Sequence, residues 1–171
     1  MGIPLVRASL GVMGFAVLVS LFVWQMAGAA STATVSATIT ANNLAVSVAD
    51  GSIAFGSVAL NTATTTAGNS DTQTVTNDGS DAVLNVKSGN ATGGTTWTLG
   101  TSAGSDIFKL EVSTTTGSTY MTLQATDTYL TASSTFASLE DQDIDFRFTT
   151  PTGSTDFVQK SLTITVQVTS Q

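Results

Sequence analysis

The chain has 171 residues, 12 of them acidic and five basic, with no cysteine and no histidine, for a formal net charge of −7. Those absences exclude disulfides, zinc fingers, iron–sulfur clusters, thiol catalysis and any Ser-His-Asp relay. The basic residues beyond the N-terminus (Lys87, Lys109, Arg147 and Lys160) are scattered, so no Lys/Arg stripe exists to bind nucleic acid or an anionic membrane surface.

Residues 1–30 read as a targeting segment. Arg7 gives a positive start, Ala8–Trp24 is almost unbroken apolar sequence, and Ala27-Gly28-Ala29-Ala30 offers small residues to signal peptidase. Two alternatives keep the segment. It is at the lower edge of bilayer-spanning length and would serve as an uncleaved membrane anchor, or it would be a stem helix like that of a type IV pilin. All three readings predict an extracellular or cell-surface protein that touches membrane only through this segment, and only if it is uncleaved.

Residues 31–171 form one domain by length, rich in Thr and Val, whose β-branched side chains suit a pleated sheet. In Thr34–Ala41 the apolar side chains are Val35, Ala37, Ile39 and Ala41. In Leu44–Val48 they are Leu44, Val46 and Val48. The parity flips at Asn42-Asn43, which a continuous flat strand cannot do. Asp50-Gly51 marks a turn, followed by an apolar run from Ile53 to Leu60. Asn61–Ser70 reads as a low-complexity loop, Thr72–Thr76 as a strand, and Asn77-Asp78-Gly79-Ser80 as a strong turn. Strands follow at Ala82–Lys87, Thr95–Leu99, Ile107–Val112, Tyr120–Leu123 and Thr128–Leu130. Asp143–Phe148 points Ile144, Phe146 and Phe148 inward, with Asp143, Asp145 and Arg147 outward. Val158–Val168 alternates Leu162, Ile164, Val166 and Val168 against polar neighbours. Many short strands with regular turns predict an all-β chain, an immunoglobulin-like or jelly-roll-like β-sandwich.

No pairing of a desolvated with a solvated carboxylate suggests an enzyme, and none is expected. Asp141, Asp143 and Asp145 share one strand face and are the candidate ligands for a weak calcium site. Against that stand Arg147 on the same face and the lack of the glycine and bidentate glutamate of a calcium loop. A solvated or edge-blunting strand face is the plainer reading. Trp97, Tyr120 and Tyr129 are candidates for a sugar-stacking platform, although Trp97 is in phase with Leu99 and so reads as core. Asn90-Ala91-Thr92 fits a glycosylation sequon in a surface loop.

The uncharged, proline-free segment 31–42 is a candidate donor strand, with Val35, Ala37, Ile39 and Ala41 forming a subunit interface. Such a segment adds to a neighbour's sheet edge through backbone hydrogen bonds and side-chain pockets, and head-to-tail repetition makes an open filament. The alternative is an ordinary first strand paired within its own domain.

The run Asn69–Ser80, with its Ser70-Asp71 and its Asn77-Asp78-Gly79-Ser80 turn, resembles a pattern of the TasA/camelysin family. The ending Gln159–Val166 is similar to that family's last strand. The resemblance implies a jelly-roll sandwich that assembles by donor-strand exchange into matrix fibres or archaeal bundling pili. The expected function is thus a secreted structural subunit of a filament, biofilm matrix or coat, associating with itself or with other surface proteins. The alternative is an adhesive or carbohydrate-binding surface module.

Overall fold

The computed structural model describes residues 34–124 and 126–171. The targeting segment and Ser31–Ala33 lie outside the described residues. A compact unit spans Thr40–Gln171, and Thr34–Ile39 belongs with the N-terminal unit.

The compact unit is all-β except for one helical turn, and its strands fall in two sheets. The larger sheet is ordered β1 (Val46–Val48), β3 (Gln73–Asn77), β9 (Asp141–Thr149), β6 (Ile107–Ser113), β5 (Thr98–Leu99). The short β2 (Ala63–Thr65) adds to β9 and β7 (Met121–Thr122) adds to β6. The smaller sheet is ordered β10 (Ile164–Ser170), β4 (Ala82–Ser88), β8 (Leu130–Phe136). All ladders are antiparallel except β5 with β6. Val75, Leu84, Val86, Phe108, Leu110, Phe136, Ile144 and Phe146 from both sheets meet in one buried core. There Phe148 stacks on Phe108 with centroids 5.1 Å apart and lies 5.2 Å from Phe55.

The connectivity is that of a two-stranded ribbon that changes sheets. β3 pairs with β9 in the large sheet, and their continuations β4 and β8 pair in the small one. The corner between them is built on Asn77, whose side chain is fully buried. Its amide nitrogen donates to the carbonyls of Ser80 (3.0 Å), Phe136 (2.8 Å) and Ala137 (2.9 Å), and its Oδ1 accepts from Gly79 N–H (3.0 Å). Its backbone N–H donates to Glu140 O and its carbonyl accepts from Leu139 N–H. One side chain thereby fastens the β3–β4 turn to the β8–β9 turn. Gly79 is required here by close approach: a Cβ would stand 2.2 Å from Asn43 O and 2.8 Å from Ala45 N. The incoming chain uses that gap, with Ser80 N–H donating to Asn43 O (2.7 Å).

Several elements differ from expectation. Thr34–Ala41 alternates as a strand does but joins no ladder, because alternation supplies faces and not a partner for the backbone. The run Ile53–Leu60 forms no strand either. Ile53 and Phe55 still pack against the core, and the segment is pinned by side chains: Gln73 accepts from Gly51 N–H (3.0 Å) and donates to Ser52 O (2.9 Å), while Asp71 accepts from Ala54 N–H (2.8 Å). The expected loop Asn61–Ser70 holds β2 and the helical turn α1 (Thr66–Asn69). Thr65 Oγ1 caps the turn by accepting from Gly68 N–H, and left-handed Ser70 (φ 56°) ends it. The strand expected to stop at Leu130 runs on to Phe136, with its ladder to β4 shifted twice by bulge-like irregularities.

Replacing Asn77 by Ala leaves the buried Phe136 carbonyl and Gly79 N–H without their side-chain partner, while Ala137 O keeps the Glu140 N–H. Each such orphan costs about 1–3 kcal/mol, so N77A is expected to lose about 3 kcal/mol or more in urea unfolding. Exposed Asn69→Ala should stay within about 0.5 kcal/mol.

Candidate functional site

The outer face of the large sheet carries the acidic strand. Asp141, Asp143, Asp145 and Arg147 follow one another at alternate positions of β9, as the sequence predicts. The structure does not gather the three aspartates around a point. Each instead accepts a hydrogen bond from a threonine across the ladder: Thr76 to Asp141 (2.6 Å), Thr74 to Asp143 (2.8 Å), and Thr72 to Asp145 (2.6 Å). Among the described residues no group of three acidic, histidine or cysteine side chains is placed to hold a metal.

Asp145 departs further from expectation. It is 1% exposed although it points away from the core. Thr66, itself fully buried in α1, donates to Asp145 Oδ1 (2.9 Å) and accepts from Phe146 N–H (2.9 Å). On another side, a Cβ on Gly117 would meet both Ala67 and Tyr120 Oη at 3.1 Å. The α1 turn and the 114–120 loop therefore close over this part of the sheet. The periodicity reports which face a residue takes, and it carries no signal that two loops cover that face.

Beside Asp145 lies a second buried carboxylate. Glu111 on β6 stands opposite Arg147 on β9 in the ladder and is 2% exposed. Arg147 grips it with two bonds (Nε–Oε2 2.6 Å, Nη2–Oε1 2.7 Å), Lys109 Nζ reaches Oε1 at 2.8 Å, and Thr122 Oγ1 donates at 3.3 Å. The Arg147 guanidinium lies 4.4 Å from the centre of the Tyr120 ring. Burial by itself pushes the Glu111 carboxyl up, but the hydrogen bonds and charges of Arg147 and Lys109 outweigh it and hold the group at about 2. Burial, with Asp145 nearby, pushes the Tyr120 hydroxyl up. Near neutral pH Glu111 is ionised, and Glu111 and Asp145 both accept hydrogen bonds from neighbouring side chains. The chemistry of the cluster is that of a rivet.

The three aromatic residues considered for sugar binding are not brought together. Trp97 is buried at 9% exposure; its indole N–H donates to Ser154 Oγ (2.9 Å), and the Lys160 ammonium stands 5.3 Å from its ring. Lys160 places its three hydrogens on Gly93 O, Thr95 O (2.6 Å) and Asp156 Oδ1 (2.6 Å). Lys160 and the Thr95 N–H hold the Asp156 carboxyl down at about 2. Tyr120 sits under Arg147, and Tyr129, 39% exposed, faces Lys87 at 5.1 Å. Each aromatic residue serves its own cation. The four basic residues of the described chain are all ion-paired within it. The sequon is not an open loop: Asn90 Oδ1 accepts from Leu99 N–H (3.0 Å) and Thr126 Oγ1 (2.6 Å), and Ala91 is fully buried.

Exposed large hydrophobic residues include Leu139, Phe157 and Val158 as well as two of the first segment. Val35 and Ile39 are 92% and 97% exposed, and Thr34–Ala41 has no strand pairing. The chain enters the compact unit at Thr40 and is fixed from Asn43 onward. There Asn43 N–H donates to Ser80 Oγ (3.2 Å) and Asp78 N–H donates to Ala45 O (3.0 Å). No protein-family model, curated protein or solved structure gives a significant match to the chain.

The Glu111 shift gives a pH prediction. Its folded-state value lies below its ordinary 4.5, so its contribution is complete above pH 4.5 and is lost as the pH falls through about 2. The shift corresponds to roughly 3 kcal/mol. Urea unfolding of the wild type is expected to weaken over that window, and Glu111→Gln should weaken less steeply from a lower starting stability.

Proposed function

We propose that the protein is an exported structural subunit of an extracellular filament, matrix fibre or coat, built on a jelly-roll-like β-sandwich that joins copies of itself by donating Thr34–Ala41 as a strand. The observation that carries the reading is that segment: Val35 and Ile39 are almost fully exposed, its backbone joins no ladder, and it bears no charge or proline. An extended segment with alternate apolar side chains binds a sheet edge by supplying the missing ladder and filling side-chain pockets.

Three further features support it. The β3–β4 and β8–β9 ribbon that changes sheets is the wrapping expected of a jelly roll. The apolar run at residues 8–24 followed by small residues fits export. Residues 34–171 hold 12 acidic and four basic residues, a net charge of −8, and the basic residues are spent internally, which keeps sheet faces from packing indiscriminately. A non-enzymatic role accords with carboxylates that are engaged in internal bonds, and with the resemblance to secreted fibre proteins.

Electron microscopy of protein beginning at Ser31, beside protein beginning at Asn43, tests the reading. Filaments are expected from the longer form alone. The double substitution V35D/I39D should abolish them while leaving the thermal midpoint unchanged, because neither side chain is buried in the subunit. Filaments from both forms, or from neither, would overturn strand donation.

A further inference from the structure

The unpaired segment needs an edge to join, and among the described residues six strands offer one. β5 and β7 are two residues long and β1 and β2 three, too short to template a strand of eight. β8 is long enough, but its ladder to β4 is shifted twice, and such irregularities blunt an edge. Its inward Ala132 and Phe136 are already buried, so an added strand would cover little.

β10 differs on each count. Its seven residues Ile164–Ser170 pair with β4 in unbroken register from Ile164↔Ser88 to Ser170↔Ala82. Among the described residues β10 pairs with β4 alone, so no second strand is hydrogen-bonded to its outer edge. No charge, proline or glycine interrupts Ser161–Gln171, so the usual devices that protect an edge are missing. The core-facing side chains of this strand are also unevenly covered. Val168 is buried, while Leu162, Ile164 and Val166 pack against the core and remain half-exposed. β1, the edge strand of the other sheet, comes near β10, and its Val46 and Val48 are likewise half-buried. The core side chains at both of these edges are thus only partly covered.

We infer that the free edge of β10 is the acceptor for Thr34–Ala41 of a second copy of this chain. The inference rests on the strand-donation reading and adds the partner surface to it. Eight residues match a seven-residue edge in length, and both partners are uncharged within an acidic protein, so the pairing meets no like-charge repulsion. Val35, Ala37 and Ile39 take the core-facing side beside Ile164 and Val166, and cover the half-exposed side chains there. Ser36 and Thr38 fall on the outer face with Thr165 and Gln167. The donor is assigned to another copy because Thr34–Ala41 joins no ladder in its own subunit. One copy's donor in the next copy's edge is a heterologous contact that repeats without closing.

The absence of native cysteine makes the test direct. Full-length chains carrying T38C are mixed before assembly with chains carrying T165C or Q167C on β10, or S134C on β8, and are then oxidised. Linked peptides are identified by mass spectrometry. The expected result is a disulfide between T38C and a β10 cysteine, none with S134C, and loss of the link when V35D is added to the T38C chain. A link to S134C instead, or filaments that give no link to β10, would overturn the acceptor while leaving donation standing. If wild-type chains form no filaments and no link appears, the reading beneath it fails as well.

Discussion

The fold turns on one corner. A ribbon that passes from a large sheet to a small one must break both of its ladders at the same place, and the backbone groups freed there have to find partners out of water. Asn77 supplies them from a single side chain, with three carbonyls and an N–H gathered on one buried amide. Because its own N–H and carbonyl bond to Glu140 and Leu139, it also keeps β3 in step with β9. Gly79 next to it leaves room for the incoming chain at Asn43–Ala45. The way the first segment enters the domain is therefore set by the same corner that sets the sheets.

A second constraint lies on the opposite face of the large sheet. Glu111 and Asp145 are buried outside the core, under α1 and the 114–120 loop, and a buried carboxylate is tolerated only when it is paired and hydrogen-bonded. Arg147, Lys109, Thr66 and Thr72 meet that requirement. With so few charged residues in the chain, concentrating the salt bridges there and at Lys160 ties loops to strands. The rest of the surface is left to Thr, Ser and Asn. The domain that results is acidic, with its four described basic residues all ion-paired within it.

Much of this was legible in the sequence. The period-two patterns of Ile107–Val112 and Asp143–Phe148 gave their strands and inward faces correctly, the strand expected at Val158–Val168 begins only at Ile164 and runs to Ser170, and the phase of Trp97 with Leu99 placed it in the core. The Asn77–Ser80 turn was readable from residue types, though not the role of Asn77 as a buried hub. Other features left no local trace. Thr66 is indistinguishable from Thr64 and Thr65 by composition, yet it alone is buried on β9. Burial of Asp145 follows from loops distant in sequence. The aspartate row looked like a ligand set because alternation puts side chains on one face, and it says nothing about their convergence. For Thr34–Ala41 the alternation was legible, but the structure gives the segment no ladder.

In the strand-donation proposal Thr34–Ala41 is unpaired in the single subunit and becomes paired in the assembly. Amide hydrogen exchange, followed residue by residue on dilute subunits and again on assembled material, measures that directly. The account predicts unprotected exchange across Thr34–Ala41 in the dilute subunit, beside protected amides in β3, β4 and β9, and slow exchange of the same segment after assembly. Protection of Thr34–Ala41 in the dilute subunit would mean that it pairs within its own chain, and would contradict the account.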